Sequence, residues 1–342
     1  MRSFEADFAV PAGYLNTPSI GIPPAHVADV VEEAVSRWRR GGDSPPVFDE
    51  SVAVAREAFG RLVGVPVDTV AIGASVSQLI GNVAMGTPDG TRVLAAEGEF
   101  TSVTFPFAGH AHRGVTVTEV PLDDLPAHVD GYDVVAVSVV QSADGSAVDI
   151  EALREAAAAS GARVLLDATQ AAGWQPLRLA WADWVVGAGY KWLLSPRGAA
   201  WLAVRPDALE RTLPAGANWY GGDDPWSTVY GLPLRLAGGA RGLDLSPVWF
   251  AQAGAAAALP YLASLDLAAV RAHCVDLAGK VLAGLGLPPR DSAIVALEGD
   301  DAVFERLRAS GVIAGRRAGK IRLGFHLYNS PADVELVLDA FE

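Results

Sequence analysis

The chain has 342 residues, 51% of them hydrophobic, with a mean hydropathy of +0.25, which argues against disorder and for a core large enough for two domains. Its formal net charge of −14 argues against nucleic acid or an anionic membrane as a partner. The single cysteine, Cys274, excludes a disulfide framework and a thiolate metal cluster.

The N-terminus carries Arg2, Glu5 and Asp7 with no apolar stretch, so no signal peptide is expected. Residues 248–263, the longest apolar region, contain Gly254 and Pro260 and are too short to span a bilayer. Both features point to a cytoplasmic, soluble protein.

In chain order, residues 14–24 (YLNTPSIGIPP) are turn-rich, and helical periodicity follows over 24–40 and 50–63. A strand over 69–72 leads into GASVSQLIGNVAMG, where Gly73, Ser75 and Ser77 stand at a strand-to-helix turn. Free N–H groups and the helix dipole suit a phosphate there, although serine is also an ordinary N-cap. Strands over 92–96, 115–120 and 134–139 alternate with helices or loops, the βα rhythm of a parallel sheet. The first is followed by EGEFTSVTFPF and the last by QSADG, and a helix over 150–160 comes next.

Residues 162–204 hold three short apolar runs, 164–166, 184–186 and 199–204, each bounded by Gly, Pro or charge as buried strands are. The first ends at Asp167 and the second a few residues before Lys191. Ligands of open α/β sheets gather beyond the carboxyl ends of strands, so this acid and this amine are expected to face one crevice. Only three lysines occur (191, 280 and 320), the other 23 basic residues being arginine. An amine that must lose its proton to become a nucleophile cannot be arginine. Lys191 lies between Tyr190 and Trp192, where desolvation lowers its pKa. Such a pair suits pyridoxal phosphate: the amine forms a Schiff base with the aldehyde, and the carboxylate keeps the pyridine nitrogen protonated. The plain alternative is a lysine snorkelling at a strand end.

Helices are expected over 247–262 and 265–283, with a turn near 284–290 inside a smaller C-terminal domain ending in GKIRLGFHLYNSPADVELVLDAF. Cys274 lies in a helical pattern, which suits a structural role. His110 and His112 lack further ligands at metal spacing, so no metal is expected. Gly187 and Gly189 lack the third glycine of a dinucleotide fingerprint, that position being Trp192, and no G-x-S-x-G occurs.

The sequence DATQ followed by GYKWLLSPRG resembles the class V aminotransferase family of fold-type I pyridoxal phosphate enzymes, which includes cysteine desulfurases, kynureninases and isopenicillin N epimerase. The resemblance covers most of the chain from Tyr14 onward. It implies an α/β fold, with a mainly parallel mixed sheet in a large cofactor-binding domain (25–246) and a small C-terminal α/β domain (247–342). Residues 1–24 would lie across the active-site mouth. Lys191 would carry the cofactor and act as general base, Asp167 would pair with the pyridine nitrogen, and Gln170 would bond the ring hydroxyl. Phe100, between Glu99 and Pro106 at family spacing, would stack on the ring, unless it is an ordinary core phenylalanine. Ser75 or Ser77 and Tyr190 would hold the phosphate. Ser142 lies in a loop where desulfurases carry Ser-Asn and this chain carries Gln141 and Ser142, which leaves that contact open. Trp219 stands in a segment (217–226) loosely like the Gly-Trp-rich loop of kynureninase. Ser246 matches a residue that reaches the partner subunit's phosphate, implying a homodimer with shared active sites. Arg322 would bind the substrate α-carboxylate, whereas Asn329, Ser330 and Asp333 read equally well as a loop and helix cap.

The expected activity is that of a pyridoxal phosphate enzyme acting on a small α-amino acid through its α-carbanion. Alternatives are a lyase (α,β-elimination or kynureninase-like), an epimerase, or a non-catalytic regulatory protein that keeps the cofactor. Desulfurase chemistry is disfavoured, because it needs a mobile cysteine and Cys274 sits in a helix.

Overall fold

A computed structural model describes residues 7–342. Seven strands form the main sheet: Val70–Gly73 (β1), Arg92–Ala96 (β2), Thr116–Val120 (β3), Val134–Ser138 (β4), Arg163–Asp167 (β5), Trp184–Ala188 (β6) and Ala200–Val204 (β7). Their order is β1-β7-β6-β5-β4-β2-β3. The β2–β3, β2–β4, β4–β5 and β5–β6 pairs are parallel, and β7 runs antiparallel to both β6 and β1. The mainly parallel mixed sheet of the sequence reading is therefore observed.

The central strands are unbroken apolar runs because both faces of the sheet are covered. Alternation sorts them onto two layers. Val135, Val137, Val164, Leu166 and Val185 face one core, shared with helices Asp49–Val63 (α2), Ile150–Ser160 (α5) and Trp249–Ala263 (α6). Ala136, Leu165, Trp184, Val186 and Leu202 face the other, shared with Val76–Gly86 (α3) and Thr101–Ala108 (α4). Helix Ala25–Arg39 (α1) contributes Val27 to the first core. At its outer edge β1 is closed by residues 244–245: Leu245 N donates to the Ile72 carbonyl, and Ile72 N donates to Asp244 Oδ1 at 2.9 Å. Asp244 is buried and held by a two-pronged bond from Arg56. Covering an edge in this way removes a free template for pairing.

A second sheet, in the order β8-β10-β9, contains Ile294–Leu297 (β8), Gly315–Arg317 (β9) and Lys320–Gly324 (β10), all antiparallel. Val295, Leu297, Ile321 and Leu323 pack on a third core with Leu277, Val281, Val334 and Val337. That core is built by helices Leu267–Gly284 (α7), Asp301–Ala309 (α8) and Pro331–Phe341 (α9). The first half of α7 belongs to the large core through Val270 and Cys274, and its second half belongs to the small one. Ser330 and Asp333 form a capping box at the start of α9, the structural alternative given for that segment. Among the described residues, no single helix is long and apolar enough to cross a membrane.

Candidate active site

The register of the sheet brings the predicted residues to one edge. Asp167, the last residue of β5, lies level with Ser138 of β4 and Val186 of β6. Two residues further along, Ala188, Ala200 and Gly73 form a row across β6, β7 and β1. Lys191 follows the end of β6, and α3 begins just beyond the end of β1. Gly189 allows the chain to fold back there, since a Cβ would lie 2.1 Å from Ser195 Oγ.

Lys191 is 6% exposed, and its Nζ lies 5.1 Å from the centroid of the Phe100 ring and 5.6 Å from that of Tyr190. Burial lowers its pKa to about 8, opposed by the charge of Asp167 and aided by those of Arg322, Arg317 and Arg197. Asp167 moves the other way, up to about 6, again by burial first, with hydrogen bonds from Thr169 and the Lys191 charge opposing. Thr169 N donates to Asp167 Oδ1 at 2.8 Å, and its hydroxyl accepts from Ala188 N at 3.1 Å. One threonine thus fixes both the carboxylate and the end of the neighbouring strand.

Phe100 is 42% exposed, so its ring is open to solvent above the amine rather than part of the core. Behind it, Glu99 is buried and fully bonded. Its oxygens accept from Phe100 N (2.8 Å), Ser138 Oγ (2.6 Å), Ser138 N (2.8 Å) and Gln141 Nε2 (2.8 Å). Four donors offset the cost of burying an ionised carboxylate. They also tie the turn bearing Phe100 to β4 and the loop after it. Gln141, a departure from the family pattern, therefore has a structural partner.

Arg322 is 1% exposed. Its Nη1 donates to the Ser142 carbonyl and hydroxyl, its Nη2 donates to Ser19 Oγ at 2.7 Å, and its Nε has no partner. No carboxylate faces it among the described residues, and burial lowers its pKa to about 10. Residues 14–21 run over this region as a strap. Gln170 Nε2 donates to the Pro18 carbonyl (3.1 Å), Gly21 N donates to the Tyr190 carbonyl (2.9 Å), and Asn329 Nδ2 donates to the Tyr14 carbonyl (2.9 Å). Gln170 Oε1 accepts from Trp192 Nε1 at 2.7 Å, so this glutamine braces the strap.

Ser75 caps α3, its hydroxyl accepting from Gln78 N at 3.4 Å, while Ser77 is exposed on the first turn. A helix start leaves the N–H groups of Val76 and Ser77 without helical acceptors. Lys191, Asp167, Phe100 and Tyr190 are thus gathered together, with Arg322, Ser142 and Gln170 joined to them through the strap. Trp219 packs instead against Tyr220 and Trp226, with ring centroids 5.3 and 4.9 Å away, and Ser246 is exposed. Sequence reasoning missed Thr169, Ser19 and Arg197, whose guanidinium lies 5.1 Å from the centroid of the Tyr190 ring. The P-R-G after the lysine and the T-P-S of the strap were the available signals. Cys274 is fully buried and its thiol pKa is raised by burial, as expected of a structural cysteine.

A desolvated amine, a buried carboxylate, an open aromatic face and a helix start fit an aromatic aldehyde that carries a basic ring nitrogen and a phosphate. Pyridoxal phosphate has these features. The aminotransferase class-V family model matches residues 48–295. The uncharacterized aminotransferase YcbU of Bacillus subtilis is 29% identical over 85% of this chain and 83% of its own. Isopenicillin N epimerase of Streptomyces clavuligerus is 24% identical over 84% and 83%. The apo cysteine desulfurase of Thermococcus onnurineus NA1 superposes with a TM-score of 0.86 at 19% identity, over 100% of this chain and 98% of that one, a likeness of fold. The chain belongs to the class V aminotransferase family and is an enzyme of that pyridoxal phosphate-dependent group.

Proposed function

We propose that this enzyme acts on a small α-amino acid held by its α-carboxylate, with transamination as the leading reaction. Arg322 carries the reading: a buried guanidinium with a free Nε and no carboxylate partner, on the same crevice as Lys191. Pyridoxal phosphate, when bound, supplies an aldehyde for the Lys191 amine and a ring that stabilises negative charge at the substrate α-carbon. The protein groups do the rest. Asp167 would keep the pyridine nitrogen protonated and Phe100 would offer a ring to stack on, while Gln170, whose amide already bonds Pro18 and Trp192, would reach the ring hydroxyl with its remaining N–H. Ser75 or Ser77, with Tyr190, would hold the phosphate. Arg322 turns its fork from Ser19 and Ser142 to the substrate carboxylate. Lys191, its pKa lowered by burial to about 8, accepts and returns the α-proton as general base.

Elimination and epimerisation share the same proton abstraction, and the likeness to isopenicillin N epimerase keeps the second open. The deciding experiment is an amino-acid panel assayed in parallel for keto acid, ammonia and the inverted enantiomer. Arg322→Ala should cost about two decades in kcat/KM on the active substrate, and Arg322→Lys should recover part of it. An Arg322→Ala enzyme matching the wild type would remove the α-carboxylate from the reading.

We also infer a homodimer with shared sites. Ser246 is exposed, and Trp226, Tyr230, Leu232 and Leu234 are exposed on the segment before it, Leu232 to 90%. Apolar exposure on this scale marks a protein contact. Trp219, packed at the base of that segment, would then face the partner's cofactor. A cytoplasmic location belongs to the same proposal, supported by one buried, unpaired cysteine.

A further inference from the structure

The small sheet turns Val295, Leu297, Ile321 and Leu323 to its own helical core and the opposite face toward the crevice. Arg322 lies on that second face. In the β9–β10 register Arg317 stands opposite Lys320, and Arg322 stands opposite Gly315. Alternation puts Arg317, Lys320 and Arg322 on one face, Arg317 being the diagonal neighbour of Arg322. A Cβ at Gly315 would lie in ordinary contact with Arg322 Nη2, at 3.5 Å, and closer to Asn16 Oδ1, at 3.0 Å.

Like charges set across a strand pair repel and destabilise the sheet. Two of the neighbouring cations are compensated. Lys320 Nζ lies 3.0 Å from Glu298 Oε1. Arg316, one residue from Arg317 but on the other face, lies over Phe304 and bonds Asp301. Arg317 is exposed at the rim: its Nη1 donates to the carbonyl of Arg316, and neither it nor Arg322 has a carboxylate partner among the described residues. Its charge reaches both Arg322 and Lys191, lowering the pKa of each. The crevice has no internal anion to spare, because Glu99 is saturated by four donors and Asp167 is held by Thr169. An α-carboxylate would neutralise Arg322 and leave Arg317 unmatched.

We propose that Arg317 binds a second acidic group of the substrate, so that the preferred substrates are acidic α-amino acids whose side chain ends in a carboxylate or a phosphate ester. The inference rests on the reading of Arg322 as the α-carboxylate clamp. Arg317 acts as a specificity residue, offering its fork at the rim while Arg322 grips within.

The test uses the cofactor-loaded protein and follows the visible absorbance change on adding amino acid. Aspartate, glutamate and O-phosphoserine are titrated against asparagine, glutamine and serine, each as both enantiomers. Wild-type protein should bind at least one acid about two- to fivefold more tightly than its neutral counterpart, the range for a solvated ion pair. That ratio should fall to near one in Arg317→Ala, be partly kept in Arg317→Lys, and persist in Arg316→Ala. Which acid shows it separates a carboxylate from a phosphate ester. A loaded protein that answers to amino acids but binds acids and neutral counterparts alike overturns the proposal alone, as does an acid preference that survives Arg317→Ala. A protein that takes up no pyridoxal phosphate, or whose absorbance no amino acid moves, overturns the site reading and this proposal together.

Discussion

Asp167 and Lys191 are each pushed toward the neutral form by burial, yet each is held toward the charged form by the other. Pairing Asp167 with a cationic ring nitrogen would settle it as a carboxylate. Asp167→Asn removes that charge and keeps the shape, so the variant should still take up cofactor but lose about two decades or more of turnover. Single-turnover α-proton exchange is the measurement, and near-wild-type exchange would overturn the assignment. Lys191 gives a second expectation. With its pKa lowered to about 8, the amine is mostly protonated below that pH and neutral above it. The rate at which cofactor-free protein takes up pyridoxal phosphate should therefore rise with pH and level off above about 8; a rate flat across the neutral and alkaline range would contradict a free Lys191 amine. Both residues were legible because their neighbours form contiguous motifs and because lysine is scarce. Thr169 and Ser19 were not, since their roles depend on a strand register and a crossing strap that no local pattern records.

Among the elements, the strap 14–21 makes the largest difference between what pattern reading expects and what the fold adds. Its turn-rich composition gave its place only through a family likeness, whereas its contacts depend on the close approach of Gly21. A Cβ at Gly21 would lie 1.9 Å from the Lys191 carbonyl oxygen and 2.8 Å from Leu194 Cδ2. Backbone cannot yield there, so Gly21→Ala should lift the strap and take Pro18 from Gln170 and Ser19 from Arg322. An overpacking cost of about 1–3 kcal/mol is expected, read by chemical denaturation, with faster proteolysis near the N-terminus. Unchanged stability and protease resistance would mean the strap tolerates displacement. The central strands were readable because they are short, apolar and bounded. Strand β9 was not: Gly315–Arg317 spans too few residues to establish a period. Helix α4 was hidden by Pro106 within it, which sequence rules read as a break.

For the whole molecule, the proposal of shared sites predicts complementation. Lys191→Ala lacks the cofactor lysine, and Ser246→Asp sets a charge against the partner's phosphate; each alone should be inactive. Mixed and reassembled, they should regain about a quarter of wild-type activity per total site, the yield of random pairing when two sites are shared. No recovery despite proven subunit exchange, or a fully active monomer in sedimentation, would end the idea. The sheet order carries a different consequence, one of timing. Among the described residues β1 is the first strand synthesised, but its only sheet partner is β7, the last strand of that sheet. At about 5–20 residues per second of translation, the strand waits on the order of ten seconds for that partner. Through the wait its hydrogen-bonding edge is unmatched, and the start of α3 has no fixed place. Lys191 leaves the ribosome before the start of α3, the proposed phosphate end of the site, has a fixed place. Nascent chains arrested before Ala200 would therefore present Val70–Gly73 as an open edge, a landing place for a chaperone, and would not yet hold cofactor.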